Sequence, residues 1–225
     1  MQPLPCVVRR LGLVDYAATV EAMRAYTEGR DGDSADEIWL LEHPPVYTLG
    51  LKANARTVRP GNDVPVIPTD RGGDITYHGP GQSVVYVLIE LARRGIGIRT
   101  LVGTLEQAVI DLLRDRGIAA ERRAGAPGVY VEGRKIASLG LRVRRGCTYH
   151  GLSFNARMDL APFRVIEPCG YSGLQVAQLA DFIPDAESGA AGEALAQRVL
   201  ALLGYTETRP EAAAPGAHRP SSLNG

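Results

Sequence analysis

Apolar runs separated by polar or glycine-rich segments organise the chain. The run over residues 84–89 has no polar alternation, which predicts a strand buried on both faces within a mixed sheet. Shorter apolar runs bounded by turn residues predict strands at 6–10, 38–41 and 46–49. Val66-Ile67 leads into the glycine-rich stretch. Turns at Glu132-Gly133 and Arg145-Gly146 predict a three-strand meander over 128–131, 135–144 and 147–155.

Helices are predicted where apolar residues recur every three or four positions. Asp15 is expected to cap the first helix and Thr100 the second, which Gly117 ends, and Ser172 is expected to cap a short helix. The apolar faces are formed by Val20, Met23 and Tyr26 in the first helix, by Leu101, Leu105, Ala108, Val109, Leu112 and Leu113 in the second, by Leu174, Ala177 and Gln178 in the short one, and by Leu195, Val199 and Leu202 in the last. The predicted fold class is α/β, of the α+β kind, with a mixed sheet flanked by helices.

The length of 225 residues allows one large core. No linker composition divides the chain before residue 206, so a single domain is predicted over 1–205. The remainder, 206–225, has no apolar period and is predicted to be a disordered tail.

The 25 basic and 25 acidic residues cancel, so net charge gives no reason to expect a nucleic acid or an anionic membrane as partner. Basic residues nevertheless outnumber acidic ones between residues 121 and 145. The basic residues are Arg122, Arg123, Arg134, Lys135, Arg142, Arg144 and Arg145, against Glu121 and Glu132. This basic segment predicts either a docking surface for an acidic partner or an ordinary solvated face.

The 3 cysteines have no paired spacing, which favours a reducing compartment over a disulfide framework. The first residues lack the apolar region of a secretory signal, and no segment has the ~20 apolar residues of a membrane span. A soluble, cytoplasmic protein, monomeric by default, is expected.

Two kinds of residue are candidates for chemistry. Gly72, Gly73, Gly79 and Gly81 would let the chain turn with positive φ and bring backbone amides close to a ligand. The polar groups of that loop are Arg71, Asp74, Thr76, Tyr77, His78 and Gln82. A tight hairpin without a ligand explains the same composition.

The cysteines and Lys135 differ in their surroundings. Cys169 lies at a Pro- and Gly-flanked turn before a predicted helix, where amides favour a thiolate, although an inert loop thiol fits equally well. Cys6 is expected to be a buried small hydrophobe. Cys147 and His150 have an odd separation on a strand, so their side chains are expected on opposite faces, unable to share a metal. Lys135 is either a charged edge residue or a pocket cation able to stabilise a thiolate.

Three segments together resemble the octanoyltransferases of lipoate biosynthesis: RGGDITYHGPGQ, APGVYVEGRKIASLGLRVRRGCTYHGLSFN and EPCGYSG. The resemblance runs from His43-Pro44-Pro45 to Gly173 in the family's order. It implies the biotin/lipoyl protein ligase-type fold and transfer of an octanoyl group to a specific lysine of lipoyl domains. The donor it implies is the phosphopantetheine thiol of acyl carrier protein. The implied acceptors are the lipoyl domains of 2-oxoacid dehydrogenase complexes and the glycine cleavage H protein.

The resemblance also implies roles for residues. Cys169 becomes the acyl-thioester nucleophile and Lys135 the group that lowers its pKa, with no ATP and no metal. The implied substrate-binding residues are Arg71, Gly72, Gly73, Asp74, Ile75, Thr76, Tyr77, His78, Ser138, Leu139, Gly140, Gly151, Leu152 and Ser153. The chemistry of amine attack, rather than the resemblance, requires a proton acceptor, either deprotonated Lys135 or His78. Lys135 is favoured, and His78 is expected mainly to organise the loop. Two alternatives stay open: an ATP-dependent lipoate or biotin ligase of the same fold, and a non-catalytic module that binds the carrier.

Overall fold

Two β-sheets and three α-helices make up the described part of the chain. The computed structural model describes residues 5–53, 63–166 and 175–206, and the backbone of 208–209. The strands are β1 (Cys6–Leu13), β2 (Asp36–Glu42), β3 (Val46–Leu49), β4 (Val66–Pro68), β5 (Ile75–His78), β6 (Gln82–Leu88), β7 (Glu121–Arg122), β8 (Gly128–Val131), β9 (Arg134–Arg144), β10 (Cys147–Asn155) and β11 (Thr208–Arg209). The helices are α1 (Tyr16–Gly29), α2 (Ile98–Arg114) and α3 (Ser188–Leu202).

The larger sheet is mixed, as the sequence predicts, with eight strands in the order β11-β1-β2-β6-β10-β9-β8-β7. β1 and β2 are parallel, whereas β6 is antiparallel to β2 and β10. All residues of β6 are buried, which confirms the central strand predicted over residues 84–89. The predicted meander is also confirmed, because β8, β9 and β10 are antiparallel neighbours.

Each face of the large sheet has its own hydrophobic core. Val85, Val87 and Leu152 point to one face and pack against α2 and α3. Val84, Tyr86 and Tyr149 point to the other face and pack against α1. Strand alternation explains this division, because neighbours along a strand point to opposite faces.

The smaller sheet has the order β4-β3-β5 and contains part of the glycine-rich stretch. Ile75 to His78 form β5, antiparallel to β3, where the sequence suggested only a loop. Ile75 and Tyr77 are buried in a third core with Tyr47 and Phe163, so burial of these side chains determines the strand. The loop predicted from the glycines is therefore limited to the residues on either side of β5.

The structure differs from the sequence prediction at the N-cap of one helix and at the described residues of the predicted short helix. α2 begins at Ile98 with Gly97 as its N-cap, because the Leu101 amide already bonds to the Gly97 carbonyl, whereas Thr100 was expected as the cap. The predicted short helix is not formed by its described residues: Val176 bridges Lys135 in parallel, and a 3₁₀ turn follows at Leu179–Asp181. Ser172 and Leu174, the other residues of that prediction, lie outside the described residues.

The last described residues form an edge strand of the large sheet. Thr208 and Arg209 pair in parallel with Cys6 and Val7. The disordered tail predicted over 206–225 lies mostly outside the described residues, so that prediction and the domain boundary at 205 stay predictions. Within the described ranges, every helix is too short or too polar to cross a bilayer.

Candidate active site

A cavity of about 790 Å³ opens where β9 extends beyond the end of β8. Its walls contain every described residue of the predicted site except Tyr77. These are Lys135, Arg71, Gly72, Gly73, Asp74, Ile75, Thr76, His78, Ser138, Leu139, Gly140, Gly151, Leu152 and Ser153. The ring of Tyr77 instead packs against Tyr47 and Phe163, at 5.3 and 5.5 Å between ring centroids. Cys169 lies outside the described residues.

Arg71 holds the glycine-rich loop against the smaller sheet. Its guanidinium is 7% exposed and donates to the Thr48 carbonyl at 2.7 Å and the Thr48 hydroxyl at 2.8 Å. It also donates to the Gly72 carbonyl at 3.1 Å. Burial lowers the pKa of Arg71 from its usual value. The side chain therefore shapes the cavity wall from within rather than reaching into bulk solvent.

Backbone contacts fasten the same loop to β9. The Gly72 amide donates to the Leu141 carbonyl at 2.9 Å. A Cβ on Gly140 would lie 2.7 Å from the Gly72 carbonyl oxygen and 3.2 Å from Arg71 Cδ. Only glycine at position 140 therefore permits this approach, and the approach brings the predicted segments 71–78 and 138–140 into one wall.

The backbone of Lys135 is held between β8 and the segment 175–177. Its amide donates to the Gln175 carbonyl at 2.8 Å, and its carbonyl accepts from the Ala177 amide at 2.9 Å. The ammonium Nζ lies 5.6 Å from the centre of the Tyr130 ring, a cation–π contact. Segment 175–177 follows Cys169 by only a few residues in the sequence, so this backbone pairing limits how far apart the two predicted catalytic residues can lie.

Buried rings lie beneath the loop: Tyr16, His78 and Tyr86 line the floor of the cavity, and His43 lies behind Tyr86. His43 Nε2 lies 2.8 Å from the Tyr86 hydroxyl, and the His78 ring stacks on Tyr16 at 5.7 Å. Burial lowers the pKa of His43 to about 4 and that of His78 well below its usual value. Both imidazoles are therefore neutral near pH 7, so the floor adds polar atoms without positive charge.

His150 has an unusual backbone conformation for a residue within a strand. Its φ is 61°, in the left-handed region that non-glycine residues rarely adopt. The side chain consequently lies beside that of Tyr149, at 5.1 Å between ring centroids, and both donate to Asp70, at 3.1 and 2.5 Å. The expected alternation between Cys147 and His150 is wrong, because the left-handed residue interrupts it.

No metal site arises from this interruption. Cys147 is buried near Arg30 and Glu90, whereas His150 is occupied by Asp70. Among the described residues, no three His, Cys, Asp or Glu side chains are grouped closely enough to hold a metal ion.

The two described cysteines are poor nucleophiles. Cys6 is fully buried, and burial raises its pKa to about 12. Burial also raises the pKa of Cys147. Both thiols are therefore protonated at neutral pH, and neither lines the cavity.

The predicted basic segment is divided by the fold. Arg122 pairs with Glu106, Arg134 with Asp181 and Glu132, and Arg144 with Glu28. Lys135 and Arg144 lie at opposite ends of β9, about 30 Å apart at ~3.3 Å per residue. The segment therefore does not form one continuous basic surface, and its only basic residues along the cavity are Arg123 and Lys135, which share the lining with the acidic Glu132.

Several lining residues were not predicted from the sequence. They include Tyr16, Lys52, Val84, Tyr86, Ile98, Val102, Leu141 and His150. Val84 and Tyr86 had a usable signal, since alternate residues of a central strand share a face. Tyr16 and Lys52 approach the cavity only through packing of the smaller sheet, which no local pattern encodes.

Fold and sequence comparisons agree on the class of protein. The family model for the lipoyl protein ligase A/B catalytic domain matches residues 15–200. A putative lipoate protein ligase from T. acidophilum with bound lipoic acid superimposes with a TM-score of 0.76 over 94% of this chain and 90% of that one, at 16% identity. A biotin protein ligase from Aquifex aeolicus in complex with biotin and ATP gives 0.57 over 88% of this chain and 70% of that one, at 12% identity. At such identities the likeness shows the fold alone.

Relatives with higher sequence identity identify the family within this class. An octanoyltransferase of Thiobacillus denitrificans is 62% identical over 78% of this chain and 80% of its own length. Another, from Azoarcus sp., is 56% identical over 89% of this chain and 88% of its own length. The chain therefore belongs to the octanoyltransferase family, within the lipoyl protein ligase A/B catalytic domains. It is an acyltransferase of protein lipoylation.

Proposed function

We propose that the chain moves an octanoyl group from the phosphopantetheine thiol of acyl carrier protein to a lysine of lipoyl domains, through a thioester on Cys169. The observation that carries this proposal is the position of Lys135. The residue lines the same cavity as the glycine-rich loop, and its backbone pairs with the segment that follows Cys169. A cation there favours ionisation of a nearby thiol.

The first step exchanges one thioester for another. The Cys169 thiolate attacks the octanoyl carbonyl, the new C–S bond forms, and the C–S bond to the carrier breaks. The departing phosphopantetheine thiolate takes its proton from the Lys135 ammonium, which leaves Lys135 deprotonated for the second step. Because a thioester is already activated, this step needs neither ATP nor a metal ion.

The second step transfers the acyl group to nitrogen. A neutral lysine amine attacks the octanoyl-Cys169 carbonyl, a C–N bond forms, and the C–S bond to Cys169 breaks. The attacking nitrogen loses a proton, which Lys135 receives when it is deprotonated. His78, which lines the same cavity, serves to organise the loop.

The acyl chain occupies the apolar part of the cavity. Its walls there include Ile75, Val84, Leu139 and Leu141. Burial of methylene groups contributes ~0.8 kcal/mol each, so an eight-carbon chain gains several kcal/mol. Leu152, named with Leu139 among the implied substrate-binding residues, is 1% exposed and belongs mainly to the core beneath.

The carrier docks at the cavity rim by charge. Lys52 is exposed and lines the cavity. Arg123 lies on the same lining with its side chain 41% exposed, although it also pairs with Glu121 at 3.7 Å. Acidic carrier proteins are attracted to such cations. The lipoyl domains of 2-oxoacid dehydrogenase complexes and the glycine cleavage H protein then supply the acceptor lysine, in the cytoplasm, to a monomeric enzyme.

Intact-protein mass spectrometry tests the proposal. Mixing the protein with octanoyl-carrier protein, without nucleotide, is expected to add one octanoyl group that hydroxylamine removes. Cys169→Ala is expected to abolish the adduct, and adding a lipoyl domain is expected to discharge it from the wild type. Transfer that persists in Cys169→Ser and requires ATP would instead identify a ligase.

A further inference from the structure

A line of buried amide side chains connects His78 to the backbone beside Lys135. His78 Nδ1 lies 2.7 Å from Gln82 Oε1. Gln82 Nε2 donates to Asn155 Oδ1 at 3.0 Å, and Asn155 Nδ2 donates to the Ala177 carbonyl at 2.9 Å. The line thus runs from the glycine-rich loop, across the ends of β6 and β10, to the segment that pairs with Lys135.

The donor and the acceptor of the hydrogen bond between His78 and Gln82 can be assigned. Gln82 Nε2 also donates to the Tyr77 carbonyl at 3.2 Å, so its oxygen is the atom that faces His78. An amide oxygen only accepts, so His78 Nδ1 must carry the hydrogen. The neutral ring therefore keeps its lone pair on Nε2, and His78 lines the cavity.

The far end of the line reaches Lys135 through the backbone. The Ala177 amide donates to the Lys135 carbonyl at 2.9 Å while the Ala177 carbonyl accepts from Asn155. The Gln175 carbonyl accepts from the Lys135 amide at 2.8 Å. Asn155 therefore anchors the segment 175–177, which bonds to both the backbone amide and the backbone carbonyl of Lys135.

Burial makes the line sensitive to small changes. Gln82 is 1% exposed, and His78 and Asn155 are each 5% exposed. Removal of one partner from a buried polar pair leaves the other without a hydrogen bond, which is more costly than replacing both partners with apolar groups. A single changed atom in the line is thus expected to move its neighbours.

We propose that Gln82 and Asn155 are positioning residues that fix the cavity-facing ring of His78 relative to Lys135. This inference rests on the proposed function, because it concerns the second step. In that step the acceptor amine must meet the acyl carbonyl in a fixed geometry, with one N–H donating to the Nε2 lone pair of His78 while Lys135 receives the proton. Neither Gln82 nor Asn155 is itself on the cavity wall.

Asn155→Asp and Thr148→Val form a matched pair for the test. The first keeps the shape of the side chain but, when ionised, cannot donate to the Ala177 carbonyl. The second removes another buried donor from β10, the Thr148 hydroxyl that donates to the Val87 carbonyl at 2.8 Å. Single-turnover rates of acylation by octanoyl-carrier protein, and of discharge to a lipoyl domain, are measured with the melting temperature of each variant.

Asn155→Asp is expected to slow discharge at pH 7.5 by roughly tenfold or more, because misplaced reacting groups lose rate steeply. Thr148→Val is expected to lower the melting temperature without a comparable loss of discharge rate. An equal loss in both variants, in proportion to their instability, would overturn the inference.

Gln82→Glu supplies a readout that a merely structural role does not change. A carboxylate facing His78 Nδ1 stabilises the protonated ring, so the pKa of His78 rises and Nε2 loses its lone pair at low pH. The acid limb of the discharge rate is expected to move upward by about one pH unit or more. An unchanged profile would contradict the inference. The wild type in the same experiment reports on the proposed function separately, since it must form and discharge the adduct.

Discussion

Gly128 lies directly beneath the side chain of Lys135. A Cβ built at position 128 would overlap Lys135 Cε, and it would lie 2.6 Å from the Ala137 carbonyl oxygen and 3.2 Å from Lys135 Nζ. The Gly128 amide donates to the buried Glu106 carboxylate at 3.0 Å, which holds the start of β8 in place. The side chain of Lys135 can therefore follow this path only because residue 128 has no Cβ atom.

Gly128→Ala is expected to lower the rate of acyl transfer by tenfold or more. The added methyl group displaces the Lys135 stem, and φ at this position is +137°, which a side chain disfavours. The free energy of unfolding is expected to fall by about 1–3 kcal/mol. Single-turnover acylation and urea unfolding measure the two effects.

Gly146→Ala is the matched control for that variant. Its φ is +78°, and a Cβ there would meet no atom within 4 Å. The substitution is expected to reduce stability through backbone strain while leaving the acylation rate within about twofold of the wild type. A comparable loss of rate in both variants would show that strain, and not the lysine path, limits Gly128→Ala.

Alkylation is expected to be selective for Cys169 at neutral pH. Burial raises the pKa of Cys6 to about 12 and also raises that of Cys147, so both described thiols stay protonated. With limiting iodoacetamide at pH 7, peptide mapping should locate the label at Cys169. Lys135→Gln should shift the pH midpoint of that labelling upward by about one unit or more, because a neighbouring cation favours the thiolate. Faster labelling of Cys6 or Cys147 would contradict the assignment.

Much of the fold follows from local pattern. The run at residues 84–89 and the turns around β8, β9 and β10 determine strands that the structure confirms, because apolar runs and turn chemistry act over a few residues. β5 was not predicted, since its four residues lie between glycines and Ile75 and Tyr77 are separated by a single polar residue, Thr76. Only their burial in the third core identifies them as strand residues.

The sequence predicted which segments contribute to the candidate site, but not how these segments come together. The segments around Arg71, Ser138 and Gly151 were proposed as one substrate site, and the structure brings them to one cavity. Their closeness depends on Gly140 approaching the loop, a contact between residues far apart in the chain. The left-handed conformation of His150 had no sequence signal, since histidine in a strand normally continues the alternation.

Asp70 is expected to stabilise the fold above about pH 4. Partial burial opposes its ionisation, but hydrogen bonds from His150, Tyr149 and Arg24 outweigh that effect and lower the pKa of Asp70 well below its ordinary value. A carboxylate with a depressed folded pKa stabilises the protein above its unfolded pKa of ~3.9, and this stabilisation is lost as the pH falls below that value. Asp70→Asn is expected to cost about 1–2 kcal/mol at pH 7, and less at pH 3.5.

Urea unfolding at both pH values measures that difference. Asp33→Asn changes an exposed carboxylate and serves as the control, with an expected effect within about 0.5 kcal/mol. A difference between Asp70→Asn and the wild type that is the same at pH 3.5 and pH 7 would mean that packing, and not the ionised carboxylate, accounts for the loss.

Charge reversal at the cavity rim is expected to weaken docking of the acyl carrier protein. Lys52→Glu should lower kcat/KM for octanoyl-carrier protein by about tenfold at low salt, because opposite charges steer the encounter. The effect should shrink at 0.5 M salt, where the Debye length falls to a few ångströms. The rate with octanoyl-pantetheine, which lacks the carrier surface, should change far less.

Arg144→Glu is the control for this experiment. Arg144 lies at the opposite end of β9 from Lys135 and is paired with Glu28 at 2.9 Å, so its reversal should leave the preference for the carrier-bound donor unchanged. If Lys52→Glu lowered the rates with both donors equally, the lysine would act on the acyl group and not on the carrier. If Arg144→Glu alone removed the preference, the carrier would dock at the far end of the hairpin and reach the cavity from there.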